Sequence, residues 1–450
     1  MMQPRPYQYR GLASVREQFR AGKKAVLLVA PTGSGKTAMG VMMALGHVQR
    51  GGRVIWLAHR AELRKQARLT LMAAGLELGA GLNASAPVQV CSIQALTARR
   101  TAPDGTLVIA DEAHHMAEGN GWTDLIRGYL AAGSRIVGLT ATPSRADGQA
   151  LHGFDALVVA AQIRELTALG HLVPLRLKRA DHALGKDKIA QSPVDAYLEF
   201  APGRHAVVFA PHVKAAEDYA AGFRAAGIAC EVVTGKTPAA TRERWLDLFA
   251  SGALPVLINV AVLTEGWDAT ICDCVILGRG CGSPGLLVQM VGRGLRAHPG
   301  KRDCLLIDLR GVTWIHGRPD ADAEYSLDGQ GIVLKGAVVG ERMCKVCGLP
   351  LGLAVVCPEC GKTTELVTPE SVGSKLVDWD EVAHQAAKEQ MKPNRAVLSL
   401  AGMIAKYGLQ KGSLMFAHIF KRHPDGATVS AAIAFNRAKA SAEHAFGGGE

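Results

Sequence analysis

Runs of Val, Ile, Leu and Ala, each five to seven residues long, alternate with helix-length stretches from residue 25 to about residue 310. A strand covered on both faces reads as a continuous apolar run, and parallel sheets sandwiched between helices are what bury strands in this way. The rhythm predicts strands at Ala25 to Val29, Arg53 to Ala58, Val88 to Ser92, Thr106 to Ala110 and Arg135 to Leu139. A second group is expected at Ala206 to Ala210, Ala229 to Val233, Pro255 to Val260, Asp273 to Leu277 and Asp303 to Leu309. Two groups of five predict two tandem α/β domains, 1–170 and 171–330. The connection is expected between Gly170 and Pro202, where the charged run Gly185 to Ser192 opens on a glycine. Past Leu309 the rhythm gives way to a Gly- and Asp-rich stretch, a cysteine cluster and a helical tail ending in Gly447, Gly448 and Gly449.

Size and composition bound the function classes. A chain of 450 residues has room for two or three cores, which excludes a small disulfide-stapled scaffold. With 48% hydrophobic and 20% charged residues it reads as folded and globular. Its apolar runs fall far short of the ~20 residues a membrane helix needs, and Met1 to Tyr9 carries Arg5 and two prolines without a leader's apolar core. The expectation is a cytoplasmic protein with no membrane partner. A net charge of +11 is the sign that favours phosphate backbones, although charge alone is weak grounds for such a partner.

The first apolar run leads straight into Ala30-Pro31-Thr32-Gly33-Ser34-Gly35-Lys36-Thr37 and then a helical pattern. Strand, Gly-rich loop and helix in that order form a phosphate cradle, because the glycines let backbone N–H groups curl inward and the helix N-terminus adds positive potential. Lys36 would reach the β- and γ-phosphates of ATP, and Thr37 would ligate Mg2+. Ala30 stands where the general pattern has glycine.

The fourth run ends in Asp111-Glu112-Ala113-His114. An acidic pair at the carboxyl end of a buried strand can divide the work of phosphoryl transfer to water, with Asp111 on the metal and Glu112 as base. His114 is expected to couple this pair to neighbouring segments, and His115 to be structural. In the second half, Gln289-Met290-Val291-Gly292-Arg293-Gly294-Leu295-Arg296 places Arg293 and Arg296 three apart, on one face if the segment is a helix. Two guanidinium groups there could stabilise charge developing on a γ-phosphate.

Together these residues resemble the superfamily 2 DEAD/DEAH-box helicases, over Arg5 to about Leu309 and with motifs in the family's order. The wording is closest to the branch with RadD-like, XPB-like and phage-encoded helicases, as in Asn259-Val260-Ala261-Val262-Leu263-Thr264-Glu265-Gly266. The resemblance implies two RecA-like domains that clamp ATP and Mg2+ between them, with DNA as partner and RNA as an open alternative. Arg5, Tyr7 and Gln8 resemble an adenine-reading element beside Thr32, Gly33, Ser34, Gly35, Lys36 and Thr37, and Thr140-Ala141-Thr142 the segment that couples hydrolysis to strand movement. Arg60, Ser92 and Gln94 in the first half, with Thr234, Gly235 and Thr264 in the second, resemble nucleic-acid contacts. Gly266 and Asp268 look like part of the join to the nucleotide, and Gln289, Arg293 and Arg296 match the family's final motif. An ATP-dependent DNA helicase is the expectation. A translocase or branch-remodelling motor, an RNA helicase and a non-hydrolysing nucleic-acid scaffold are the alternatives.

Outside the motor, Cys344-Lys345-Val346-Cys347 and Cys357-Pro358-Glu359-Cys360 are separated by nine residues, and a glycine follows each pair. Paired knuckles of this spacing fit a closed, structural Zn2+ site within a ribbon at 340–363, with a disulfide pair as the alternative. The other six cysteines stand singly or in strand-like runs and read as small core residues. In the tail, 364–450, the last sixty residues carry eight Lys and Arg against three acids, enough to touch a phosphate backbone or simply to solvate a helix.

Overall fold

In the computed structural model the described residues are 4–79, 86–99, 105–115, 121–144, 151, 153–181, 184, 188–263, 270–327, 331–334, 370–371 and 376–378. All fall within one compact unit running over Met1–Val339 and Glu365–Asp378. The ribbon expected from Cys344, Cys347, Cys357 and Cys360, and the tail from Trp379 on, lie outside the described residues, as do Thr264, Gly266 and Asp268.

The first lobe is built on β1 (Ala25–Val29), β2 (Val54–Ala58), β3 (Val88–Ser92), β4 (Leu107–Asp111), β5 (Arg135–Thr140) and β6 (Ala156–Val159). They form one sheet in the order β3-β2-β4-β5-β1-β6, with every pairing parallel. Strand alternation sends Val26 and Leu28 of β1, with Val54 and Trp56 of β2, into the core on one face. Their neighbours Leu27, Val29, Ile55 and Leu57 fill the core on the other. Each large aliphatic side chain removed from water in this way contributes about 1.5–3 kcal/mol. This two-sided burial is why the runs look continuous in the sequence.

The second lobe holds β7 (Leu175–Ala180), β9 (Ala206–Phe209), β10 (Cys230–Val233), β11 (Val256–Asn259), β12 (Cys274–Leu277) and β13 (Cys304–Asp308), with the two-residue β8 (Lys188–Ile189) apart from them. The sheet order is β10-β11-β9-β12-β13-β7, and these pairings are parallel. Val208, Ile258, Ile276 and Ile307 pack on Tyr197 and Phe223. All ten expected strands are present to within one or two residues at each end.

Gly170 to Pro202, expected as a connection, contains β7 and the helix Pro193–Phe200. Ser192 caps that helix, its side chain accepting from the Asp195 N–H at 3.1 Å. β7 carries Leu-Arg-Leu-Lys-Arg-Ala, an alternation of apolar and charged residues in place of a continuous run, because its position near the sheet's edge leaves one face partly open.

A hairpin of β14 (Ala323–Tyr325) and β15 (Ile332–Leu334) follows the second sheet in sequence but packs on the first lobe. Gln162 Nε2 donates to Ala323 O at 2.8 Å, and Tyr325 and Leu327 lie against the core beneath the first sheet. The chain then returns to the second lobe. β16 (Glu370–Ser371) pairs with β8, and β17 (Leu376–Asp378) adds an antiparallel strand to β7. No helix among the described residues is long and apolar enough to cross a membrane.

Candidate active site

The carboxyl ends of parallel strands lie along one edge of a sheet, and the loops that leave that edge of the first sheet carry most of the expected residues. The loop after β1 is closed by Ser34 N–H donating to Pro31 O at 3.1 Å, and the helix Lys36–Val48 starts at once. Gly33 and Gly35 take φ of +85° and +79°, a left-handed backbone in which a side chain would be strained. Space also matters at Gly35, where a Cβ would come within 2.6 Å of Gln8 Nε2.

The N-terminal segment braces this loop from behind. Tyr7 OH donates to Ser34 O at 2.7 Å and Gln8 Nε2 to the same oxygen at 2.9 Å. Arg5 N–H donates to Gln8 Oε1 at 2.9 Å and fixes the amide's orientation. Tyr7 is buried, so it supports the loop from the core. Arg5 Nη1 donates to its hydroxyl at 3.3 Å, and the His171 ring stands 5.6 Å from the Tyr7 ring.

Lys36 Nζ is 3.3 Å from Ala30 O and 3.5 Å from Pro31 O. Burial lowers its pKa, while Glu112 and Asp111 pull the other way and Arg293 and Arg296 add to the lowering. One lysine therefore feels both acids of the first lobe and both arginines of the second. Asp111 is buried at the end of β4, and burial, with the Glu112 charge beside it, pushes its carboxyl above the usual range. Glu112 N–H donates to Asp111 Oδ1 at 3.1 Å, and Glu112 itself takes a left-handed φ of +50°, rare for a residue with a side chain.

Behind the acids, His114 Nδ1 lies 3.4 Å from Glu112 Oε2 and 3.2 Å from Thr140 Oγ1. The Thr140 hydroxyl donates to Thr142 O at 2.7 Å, so it accepts from Nδ1–H, and His114 Nε2 is left as an acceptor. Gln289 of the second lobe supplies the donor: its Nε2 is 3.4 Å from His114 Nε2 and 3.0 Å from Thr142 Oγ1. Contacts along the helix Pro284–Gly292 explain this close docking. A Cβ on Gly285 would approach Ser144 Oγ to 2.7 Å, and one on Gly292 would approach Thr32 Cβ to 3.0 Å.

The helix stops at Gly292. Arg293 is its C-cap and Arg296 lies beyond it, paired with Leu172 in an antiparallel bridge, so the expected shared helix face is not what aligns the two arginines. Folding brings them together by another route. The Arg296 stem lies over the phosphate loop, its Cγ 3.2 Å from the position of a Cβ on Gly33.

Among the described residues, the other expected contacts follow β2, β3 and β10. Arg60 follows β2, its Nε donating to His59 Nε2 at 3.2 Å. Ser92 Oγ, at the end of β3, donates to Gln94 Oε1 at 2.9 Å. Thr234 and Gly235 follow β10 in a turn in which the Thr234 N–H donates to Thr237 Oγ1 at 2.9 Å. The His59 and His115 rings are 3.8 Å apart and the His115 and His114 rings 4.3 Å, which links Arg60 to the acidic pair by ring contacts. Sequence reasoning also passed over Leu172, whose partner is 124 residues away in the chain and carries no local signal.

The constellation fits a nucleoside polyphosphate with a divalent cation. The buried Ser34 hydroxyl has no hydrogen-bond partner inside the loop and is free to meet an anion there. Asp111 is a carboxylate whose burial beside Glu112 a cation would relieve, and Thr37 stands in the first turn of the adjoining helix. Mg2+ is an ion held by one or two carboxylates together with substrate phosphates, and Asp111 is such a carboxylate.

Comparisons with known proteins agree with this arrangement. The family model for the type III restriction enzyme res subunit matches residues 1–145, and that for the helicase conserved C-terminal domain matches residues 190–298. The "Putative mitochondrial ATP-dependent helicase irc3" of Schizosaccharomyces pombe is 33% identical over 68% of this chain and 57% of its own length. The "Putative DNA 3'-5' helicase Rad25" of Halobacterium salinarum is 29% identical over 63% of this chain and 51% of its own. The chain thus spans little more than half the length of either relative. In fold it is similar to a fragment of an HsdR subunit of a type I restriction enzyme from Vibrio vulnificus YJ016, with a TM-score of 0.56, 21% identity and coverage of 69% of this chain and 65% of that one. By its motifs, its paired RecA-like sheets and these relatives, the chain belongs to the superfamily 2 helicases.

Proposed function

We propose that the chain is an ATP-dependent DNA helicase that hydrolyses ATP at a site shared by its two lobes and uses the cycle to move along DNA and separate strands. One observation carries this reading: the Arg296 stem lies over Gly33 of the phosphate loop, and Lys36 of that loop, beside Asp111 and Glu112, is within electrostatic reach of both Arg293 and Arg296. In this scheme Lys36 and the loop Thr32 to Thr37 hold the phosphates, and Arg5 and Gln8 meet the adenine while Tyr7 braces the loop. Asp111 and Thr37 would hold Mg2+, which neutralises charge on the phosphates when bound. Glu112 takes a proton from the attacking water, and its contact with His114, which Gln289 reaches from the second lobe, makes that step sensitive to the second lobe. Arg293 and Arg296 stabilise charge on the leaving phosphoryl group, which a single lobe could not do.

DNA is the proposed track because the Halobacterium relative is named as a DNA helicase and the chain carries a net charge of +11. Arg60, Ser92, Gln94, Thr234, Gly235 and Thr264 would grip its backbone, with Gly266 and Asp268 joining that grip to the nucleotide. The proposed organisation is 1–170 and 171–330 for the RecA-like domains, 340–363 for a ribbon holding one structural Zn2+ through Cys344, Cys347, Cys357 and Cys360, and 364–450 for a basic helical tail. The test is ATP turnover with no nucleic acid, single-stranded DNA, duplex, forked DNA and RNA, beside a strand-displacement assay. Stimulation by DNA with displacement supports the helicase. Stimulation without displacement points to a translocase or branch-remodelling motor, and preference for RNA to an RNA helicase. No turnover under any condition points to a scaffold.

A further inference from the structure

Lys301 lies in the loop between Arg296 and β13, in no motif discussed above, and its side chain has an unusual set of acceptors. Nζ donates to Arg296 O at 2.8 Å, to Cys272 O at 2.5 Å and to Thr270 O at 3.1 Å. An ammonium has three N–H groups, and three backbone carbonyls from two separate segments take them all. No carboxylate is among these acceptors, and burial lowers the lysine's pKa. Drawing a charge partly out of water to bind only carbonyls is costly, and a methionine would fill the same volume at less cost.

The payoff is geometric. Arg296 stands beyond its helix, so no helical hydrogen bond fixes its backbone. One side of that backbone is held by the bridge to Leu172 and by Val173 N–H donating to Leu295 O at 2.8 Å. Lys301 holds the other side, tying the Arg296 carbonyl to the entry of β12, a strand paired on both edges within the second sheet. The segment is further pinned where Thr270 Oγ1 and His298 Nδ1 meet at 2.8 Å. From this anchored backbone the Arg296 stem crosses Gly33 towards Lys36.

We propose that Lys301 is a positioning residue for Arg296, locking the arginine's backbone to the entry of β12 so that its guanidinium group is held at the phosphate loop. The inference rests on the role given to Arg296 above. Because Lys301 acts through Arg296, its removal degrades the chemical step and spares substrate binding. A misplaced charge-stabilising group typically costs a factor of ten or more in rate.

The experiment measures ATP turnover by the full chain at saturating oligodeoxythymidine for Lys301→Met, Lys301→Arg, Arg296→Ala and the Lys301→Met/Arg296→Ala double variant, with thermal melting of each. Lys301→Met should lower kcat about tenfold or more while the KM for ATP and the half-saturating DNA concentration stay within about threefold. Lys301→Arg, a cation with N–H donors, should recover much of the loss. In the Arg296→Ala background, Lys301→Met should cost less than about twofold, because the group it serves is gone. A folded Lys301→Met chain with wild-type kcat, or two defects that multiply in full, would overturn the inference. If Lys301→Met does not fold, Lys301→Gln takes its place and the same kcat-against-KM split decides. Wild-type turnover by Arg296→Ala would overturn the functional reading and this inference with it, whereas an impaired Arg296→Ala beside an unimpaired Lys301 variant overturns this inference alone.

Discussion

Gln289 Nε2 donates to Thr142 Oγ1 at 3.0 Å, across the junction of the two lobes, and its second N–H faces His114 Nε2. The amide thus spans from the second lobe to the histidine that backs Glu112. Gln289→Ala would leave Thr142 and His114, both buried, short of a partner, a loss of about 1–3 kcal/mol borne by the closed arrangement. DNA-stimulated turnover by this variant is expected to fall about tenfold or more, with the melting temperature little changed. A stimulated rate equal to wild type would show that this contact does not report closure.

Lys36→Ala and Glu112→Gln separate binding from chemistry. Removing the ammonium takes away the charge that holds the phosphates, so turnover and ATP affinity should both be lost. Glu112→Gln keeps the shape and the left-handed backbone but cannot accept a proton, so turnover should drop ~10²-fold or more while a fluorescent ATP analogue still binds. Retained hydrolysis in Glu112→Gln would remove Glu112 as base.

Much of the first lobe is legible in the sequence because its strands are buried on both faces and its site sits at strand ends, where Gly33, Gly35, Lys36, Asp111 and Glu112 are neighbours of an obvious run. The residues that were not legible depend on partners far away in the chain. β7 was passed over because alternating Leu and Arg does not look like a buried run, and the hairpin β14–β15 because its three-residue strands have no periodicity to show. The two arginines depend on such partners too, because the helix ends at Gly292 and no shared helix face aligns them.

Gly331 illustrates a constraint visible only in three dimensions. Its φ of +71° is left-handed, and a Cβ there would collide with Pro143 O, which joins the hairpin to the segment just after β5. Gly331→Ala is expected to destabilise the fold by on the order of 1–3 kcal/mol, seen as a lower midpoint in chemical denaturation. An unchanged midpoint would mean that the hairpin does not pack on the first lobe in solution.

The proposed zinc site can be tested without reference to the motor. Elemental analysis of protein purified without chelator should give one zinc per chain, and Cys357→Ser should release it, since three thiolates hold the ion far less well than four. The loss should loosen the segment after about residue 340 in limited proteolysis while ATP binding persists. Protein that carries no zinc would contradict the ribbon.

The shared site is tested most directly by steady-state phosphate release from the full chain, with and without saturating single-stranded DNA, beside Arg293→Ala. The wild-type rate should rise with DNA, and the Arg293→Ala rate should stay near its unstimulated level in spite of DNA binding at close to wild-type affinity. A stimulated rate that survives loss of Arg293 would mean that the second lobe does not complete the site, and would contradict hydrolysis between the two lobes.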